Sequence, residues 1–123
     1  MPILDIEIVL RDGEALPPSL ASKLAEAAAQ VFRTPPGGTW VKLKLLLPEN
    51  YAEDDGGPPE GVHPVFVSVL KAERPGAAGL ESEIAGLTGA IARICDRPPT
   101  NVHVVYEPDA KGRVAFGGKI VPD

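Results

Sequence analysis

Nucleophile and metal chemistry have little to work with in this chain of 123 residues. There is one cysteine, Cys95, and there are two histidines, His63 and His103. A lone thiol excludes an internal disulfide, and three such side chains are too few for a structural zinc site. No histidine lies near Cys95 in sequence, so the thiol reads as a packing group rather than a nucleophile. There is no G-x-S-x-G elbow, no Walker loop and no dinucleotide fingerprint. The diglycines Gly56-Gly57 and Gly117-Gly118 do not precede helices, so they do not read as phosphate cradles. The remaining polar chemistry is cationic and carboxylic, with Lys71 and Arg74 close together in LKAERPG. Neither a metal nor a cofactor is expected.

The elements that must position these groups form a pattern written twice. Residues 2–10, PILDIEIVL, alternate with Leu4, Ile6, Ile8 and Leu10 on one face; residues 64–71, PVFVSVLK, alternate through Val65, Val67 and Val69. Each run starts with a proline, which suits the first residue of a strand because no donor is needed there. Helical spacing follows both: Leu20, Leu24, Ala27 and Val31 in the first half, Leu80, Ile84, Leu87, Ile91 and Ile94 in the second. Pro17-Pro18 before Ser19 reads as a helix entry, and Arg33 and Arg97 fall near the helix exits. A double proline comes next each time, Pro35-Pro36 and Pro98-Pro99, then a second strand, TWVKLKLLL at 39–47 and NVHVVYE at 101–107. Both halves close with a proline and an acid, a polar turn, and the diglycine. In this internal alignment Lys42 stands opposite His103.

A duplicated β-α-β unit predicts an α/β (α+β) fold. It is one domain made of two pseudo-repeats, 2–57 and 63–118, with a four-stranded mixed sheet and two helices on one face. The other face carries apolar groups too, and such sheets are seldom left bare, so an oligomer is expected to cover it. Alternation puts Val102, Val104 and Tyr106 toward the helices, with Tyr106 in the core, and His103, Val105 and Glu107 on the uncovered side. The segment 49–61, with five acids and no base, reads as an exposed connector, and His63, just after it, as a linker residue.

Composition narrows the partners. Twelve Lys and Arg against 17 Asp and Glu give a formal charge of −5, which leaves no basic footprint for nucleic acid or an anionic membrane. At 44 % apolar but 5 % aromatic residues the core must be mostly aliphatic, and no apolar run is long enough to span a bilayer. The start carries an acid where a secretory signal wants positive charge, so a cytoplasmic location is expected.

The stretch DRPPTNVHVVYEPDAKGRVAFGGKIV, together with the N-terminal PILDIEIVL, resembles the tautomerase superfamily. That superfamily includes 4-oxalocrotonate tautomerase (4-OT), a single β-α-β unit, and macrophage migration inhibitory factor, two fused units. The most specific piece is Ala110-Lys111-Gly112 leading to Gly117-Gly118, and the second is the N-terminal proline. The resemblance covers nearly the whole chain and places it nearer the fused members, which implies a homotrimer.

It also implies a role for Pro2. With Met1 removed, as is usual before a small residue, the nitrogen of Pro2 is a secondary amine. An apolar pocket and nearby cations bring its proton affinity toward neutrality, because both disfavour the charged form. Such a base can move a proton between carbon and oxygen of an enol. If Met1 stays, that nitrogen is an amide and the chemistry is closed to it.

The implied substrate is a small acid carrying a carboxylate beside an enol or carbonyl. Arginine is the usual fork for a carboxylate. Arg11 lies near one arginine place of 4-OT, whereas the mid-strand place holds Lys42 in one half and His103 in the other. In fused members with decarboxylase or dehalogenase activity, cations after the third strand grip the carboxylate, and Lys71 and Arg74 fall there. Phe116 is implied as an apolar wall beside the proline. For Lys71 and Arg74 the alternative is two solvated charges at a turn; for His103 it is a histidine satisfied at a subunit contact. The activity implied is a keto–enol tautomerase. A decarboxylase or hydratase on the same pocket, or a non-catalytic trimeric ligand-binding protein, stands as the alternative.

Overall fold

The computed structural model describes residues 2–123. The state of Met1 lies outside them. The order is β1 (Ile3–Val9), α1 (Leu20–Phe32), β2 (Trp40–Leu46), β3 (Val65–Leu70), α2 (Ala77–Cys95) and β4 (Val102–Tyr106), followed by short strands β5 (Ala115–Phe116) and β6 (Lys119–Ile120). The sheet order is β2-β1-β3-β4. The outer pairs β1·β2 and β3·β4 are parallel, as strand–helix–strand connections require, and the central pair β1·β3 is antiparallel. The expected mixed four-stranded sheet with two helices is therefore the fold. The β5·β6 hairpin, which turns at Gly117-Gly118, is an element the periodicity does not announce.

Alternation decides the faces. Leu4, Ile6 and Ile8 of β1 and Val65, Val67 and Val69 of β3 are buried beneath the helices. They meet Leu20, Leu24 and Ala28 of α1 and Leu87, Ile91, Ala92 and Cys95 of α2. The α1 stripe thus runs through Ala28 rather than Ala27, and the first turns of α2 stay partly open at Leu80 and Ile84. Each helix ends on a non-glycine residue in the left-handed region, Arg33 and Asp96, both at φ 57°. The prolines two positions later explain why neither helix continues, since a residue before proline is pushed out of the α region.

Register also defines the internal match. The step along the chain that takes Leu4 to Val65 takes its partner Val41 to Val102, and Lys42 to His103. The same step takes Pro2 to His63, so the strand-starting prolines Pro2 and Pro64 are one residue out of structural correspondence. His63 is accordingly more than connector. Its carbonyl accepts a hydrogen bond from Arg97, and its Nδ1 is buried with no hydrogen-bond partner among the described residues.

Candidate functional site

The antiparallel centre of the sheet brings the start of β1 beside the end of β3. Ile3 pairs with Leu70, and one step further along that register Pro2 stands across from Lys71. Directly opposed residues of an antiparallel pair share a face. Leu4 and Val69, two positions inward, are buried under the helices, so Pro2 and Lys71 point the same way. Pro2 itself is buried, and its carbonyl accepts a hydrogen bond from the Trp40 amide at 3.0 Å.

A cavity of about 290 Å³ opens at this corner, lined by Pro2, Phe32, Thr34, Lys71, Ala72 and Glu73. Phe32 is the last residue of α1, and its ring centroid lies 5.0 Å from Lys71 Nζ, a cation–π contact. Thr34 is fixed by a 2.6 Å hydrogen bond between its hydroxyl and that of Thr39 across the Pro35–Gly38 loop. That loop closes tightly: the Gly38 amide donates to the Pro35 carbonyl at 2.9 Å, and a Cβ at Gly38 would itself lie 2.9 Å from that oxygen.

Among the described residues Lys71 is the one cation on the cavity wall, and α2 reaches over to hold it. Its Nζ donates to Glu83 Oε2 at 2.7 Å, while the Tyr106 hydroxyl donates to Glu83 Oε1 at 2.7 Å. Burial, and secondly the hydrogen bond to Glu83, raise the Tyr106 phenol far above its ordinary value, so it stays protonated as a donor. Glu73, also on the wall, accepts from Lys111 at 2.9 Å, and that bond raises the Lys111 ammonium. Tyr106 does pack on the core, as alternation indicates, yet its hydroxyl is one carboxylate away from Lys71. Glu83 escapes a reading based on families of cations, although a signal exists. It lies three residues after Leu80 and four before Leu87, a polar residue set into an apolar helical stripe.

The other candidates lie elsewhere on the chain. Arg11 stands beyond the far end of β1, which alone spans about 23 Å at about 3.3 Å per residue. There it binds Glu14 (3.1 Å) and the Asp96 carbonyl (2.6 Å). Lys42 projects from the uncovered face and pairs with Asp5 at 3.1 Å. Arg74 is exposed and grips Asp109 through its amide and Nε at 3.0 and 3.1 Å. His103 lies on the uncovered face with its ring 5.5 Å from Phe66. Phe116 packs edge-on against Trp40, centroids 5.6 Å apart, and does not line the Pro2 cavity. Of the cations and His103, a single chain brings only Lys71 to Pro2.

Cys95 is buried, and desolvation pushes its thiol up to about 11, the reverse of an activated nucleophile. Arg97, near the exit of α2, is not a solvated end charge. It is 5 % exposed and donates to the Val9, Cys95 and His63 carbonyls and to both oxygens of Glu14. Those bonds, against the opposing effect of burial, hold the Glu14 carboxyl down at about 2.

The uncovered sheet face is aromatic in part. Trp40 and Phe66 are exposed there, with Tyr51 and His103 on either side of Phe66. Among the described residues no helix is long and apolar enough to cross a membrane.

No protein-family model matches the chain, and no curated protein matches it in sequence. Solved structures do match it. A fused 4-OT, determined as a symmetric trimer, superposes with a TM-score of 0.76 at 15 % identity, over 97 % of this chain and 94 % of that one. Leishmania major MIF2 gives 0.69 at 15 % identity, over 98 % and 97 %. A malonate semialdehyde decarboxylase gives 0.67 at 21 % identity, over 94 % and 90 %. At such identities the agreement is one of fold. The chain has the fold of the tautomerase superfamily, and the resemblance read from its sequence holds at that level.

Proposed function

We propose that this protein is a tautomerase-type enzyme that shifts a proton within a small enol or 2-keto carboxylate, with the nitrogen of Pro2 as general base. The observation that carries the reading is the pairing of Pro2 with Lys71 on one wall of a small cavity backed by the Phe32 ring. With Met1 removed, the neutral Pro2 amine takes the enol O–H proton, and the O–H electron pair becomes the carbonyl π bond. The carbon–carbon π pair then takes a proton back from the prolinium, which restores the amine. Lys71 stabilises the oxyanion that develops between these transfers.

In this reading the working unit is a homotrimer whose contacts cover the aromatic sheet face. Neighbouring copies bring up the cations and donors that a single chain holds away from Pro2, among Arg11, Lys42, Arg74 and His103, with Phe116 at the rim. The solved trimer of the fused 4-OT supports this assembly by analogy of fold. Decarboxylation or hydration by a protonated Pro2 uses the same cavity, and the malonate semialdehyde decarboxylase relative favours keeping that second reading.

The test begins with the intact mass of the native protein and a panel of enols and 2-keto acids. A mass lacking Met1, turnover of an enol, and a large loss of rate in Pro2→Ala with its amine kept free are expected. Full activity in that variant overturns the base assignment. Released carbon dioxide or added water in the products selects the second reading. Tight binding of a small acid with no turnover makes the protein a binding protein.

A further inference from the structure

Among the described residues the cavity at Pro2 contains one cation, and that cation is already paired with a carboxylate. Lys71 Nζ sits 2.7 Å from Glu83 Oε2, and both side chains are more than four-fifths buried. The second oxygen of Glu83 is taken by the Tyr106 hydroxyl, also at 2.7 Å. One carboxylate on α2 thus fastens a residue after β3 to a residue at the end of β4. Lysine on its own would not hold a position here, since its four-carbon stem is flexible and its head is a point charge. Glu83 on one side and the Phe32 ring on the other confine Nζ to the cavity wall.

We infer that Glu83 is a positioning residue of the Pro2 site, which fixes Lys71 at the cavity wall and cancels its charge as felt by the Pro2 nitrogen. This rests on the reading of Pro2 as a free amine given under Proposed function. Among the described residues the charged groups around Pro2 are few. The turn after β3 supplies Lys71 and Glu73, with Glu73 engaged by Lys111; α2 supplies Glu83; β4 supplies the neutral phenol of Tyr106. The end of α1 and the loop beyond it supply Phe32 and Thr34, neither charged. A bare Lys71 beside Pro2 would disfavour the prolinium and lower the proton affinity of the amine. The Glu83 carboxylate offsets that and keeps the amine basic enough to take a proton from an enol. It also leaves Lys71 with two N–H donors free of Glu83 for a developing oxyanion.

The test reads the Pro2 nitrogen directly. Protein whose mass confirms loss of Met1 is labelled with 15N-proline, and the Pro2 amine is titrated by NMR in the wild type and in Glu83→Gln. Glutamine keeps the shape and a hydrogen-bonding oxygen while removing the charge. The expected result is a fall in the amine pKa of about half a unit to one unit, with the acid limb of the pH–rate profile moving down alongside it. A titrating Pro2 amine that does not move, or moves up, overturns this inference and leaves the base assignment standing. Absence of any titrating amine at Pro2 overturns both. If Glu83→Gln does not fold, Glu83→Asp is used, which keeps the charge but shortens the reach. An amine pKa within about 0.3 of wild type with KM raised several-fold is then expected, and an unchanged KM overturns the positioning role.

Discussion

Glu14 and Arg97 form a closed fork across the end of the sheet, with guanidinium-to-carboxylate bonds of 2.8 and 2.9 Å between residues far apart in sequence. Bidentate pairs of this kind are the strong ones, and the arginine side chain is almost wholly buried. The Glu14 carboxyl is held near 2 in the folded protein against 4.5 ordinarily. A lowered folded value means the carboxylate stabilises the fold at pH above about 4.5, and that contribution is lost as pH falls toward 2. Its size is roughly 1–2 kcal/mol, below the full linkage value because the carboxylate keeps some contact with water. Urea midpoints of wild type and Glu14→Gln should therefore differ at pH 6 and converge near pH 2. A gap that persists at pH 2 would contradict the assignment.

Removing the other partner costs more. Arg97→Met leaves the Val9, Cys95 and His63 carbonyls short of a donor and Glu14 with the half-exposed Arg11 as its remaining cation. The expected loss is about 3–5 kcal/mol, the usual cost of breaking one side of a buried pair. Chemical denaturation at neutral pH measures it, and a loss below about 1 kcal/mol would mean that the neighbours relax around the gap.

At the Pro2 end, Lys71→Ala should lower kcat/KM by about 10²-fold, in the range for removing one donor to a developing oxyanion. Lys71→Arg keeps a cation near Glu83 and should recover part of that loss. Steady-state kinetics on the best enol of the panel decides the matter.

The aromatic sheet face yields a prediction on assembly. Phe66 lies between Tyr51 and His103 with its ring exposed. A carboxylate placed there would be desolvated by any copy that covers the face. Phe66→Glu should shift the sedimentation velocity of a trimer to that of a monomer and reduce turnover with it. A monomeric wild type that turns over an enol would refute the assembly.

What a linear reading captures here depends on the range of the interaction. Alternation in PILDIEIVL and PVFVSVLK assigns the faces of β1 and β3, because the period of two is local. The same alternation puts Lys71 on the face of Val65, Val67 and Val69, which the helices cover. Helical phase is softer: small residues such as Ala27 and Ala28 give little contrast, and the stripe falls on the second of them. Arg97 reads only as a charge near a helix exit because nothing near it in sequence shows Glu14, 83 residues away, folding onto it. Glu83 is the instructive omission. Its place in the Leu80–Leu87 stripe is visible, but its two partners come from the turn after β3 and from β4. Where Arg11, Lys42 and His103 would act in the proposed trimer is a question of which copy they face, and no property of one strand encodes it.

The antiparallel join of β1 to β3 carries a consequence for how such a chain can change. Pro2, Phe32 and Thr34 come from the first half, while Lys71, Glu73, Glu83 and Tyr106 come from the second. The matching corner at the opposite end, where His63 stands in for Pro2, is occupied by the Arg97–Glu14 fork. The two corners are thus built differently: one holds an open cavity and its twin a buried ion-paired clasp. Each corner is built from residues of both halves, so a substitution in either half can reach either corner.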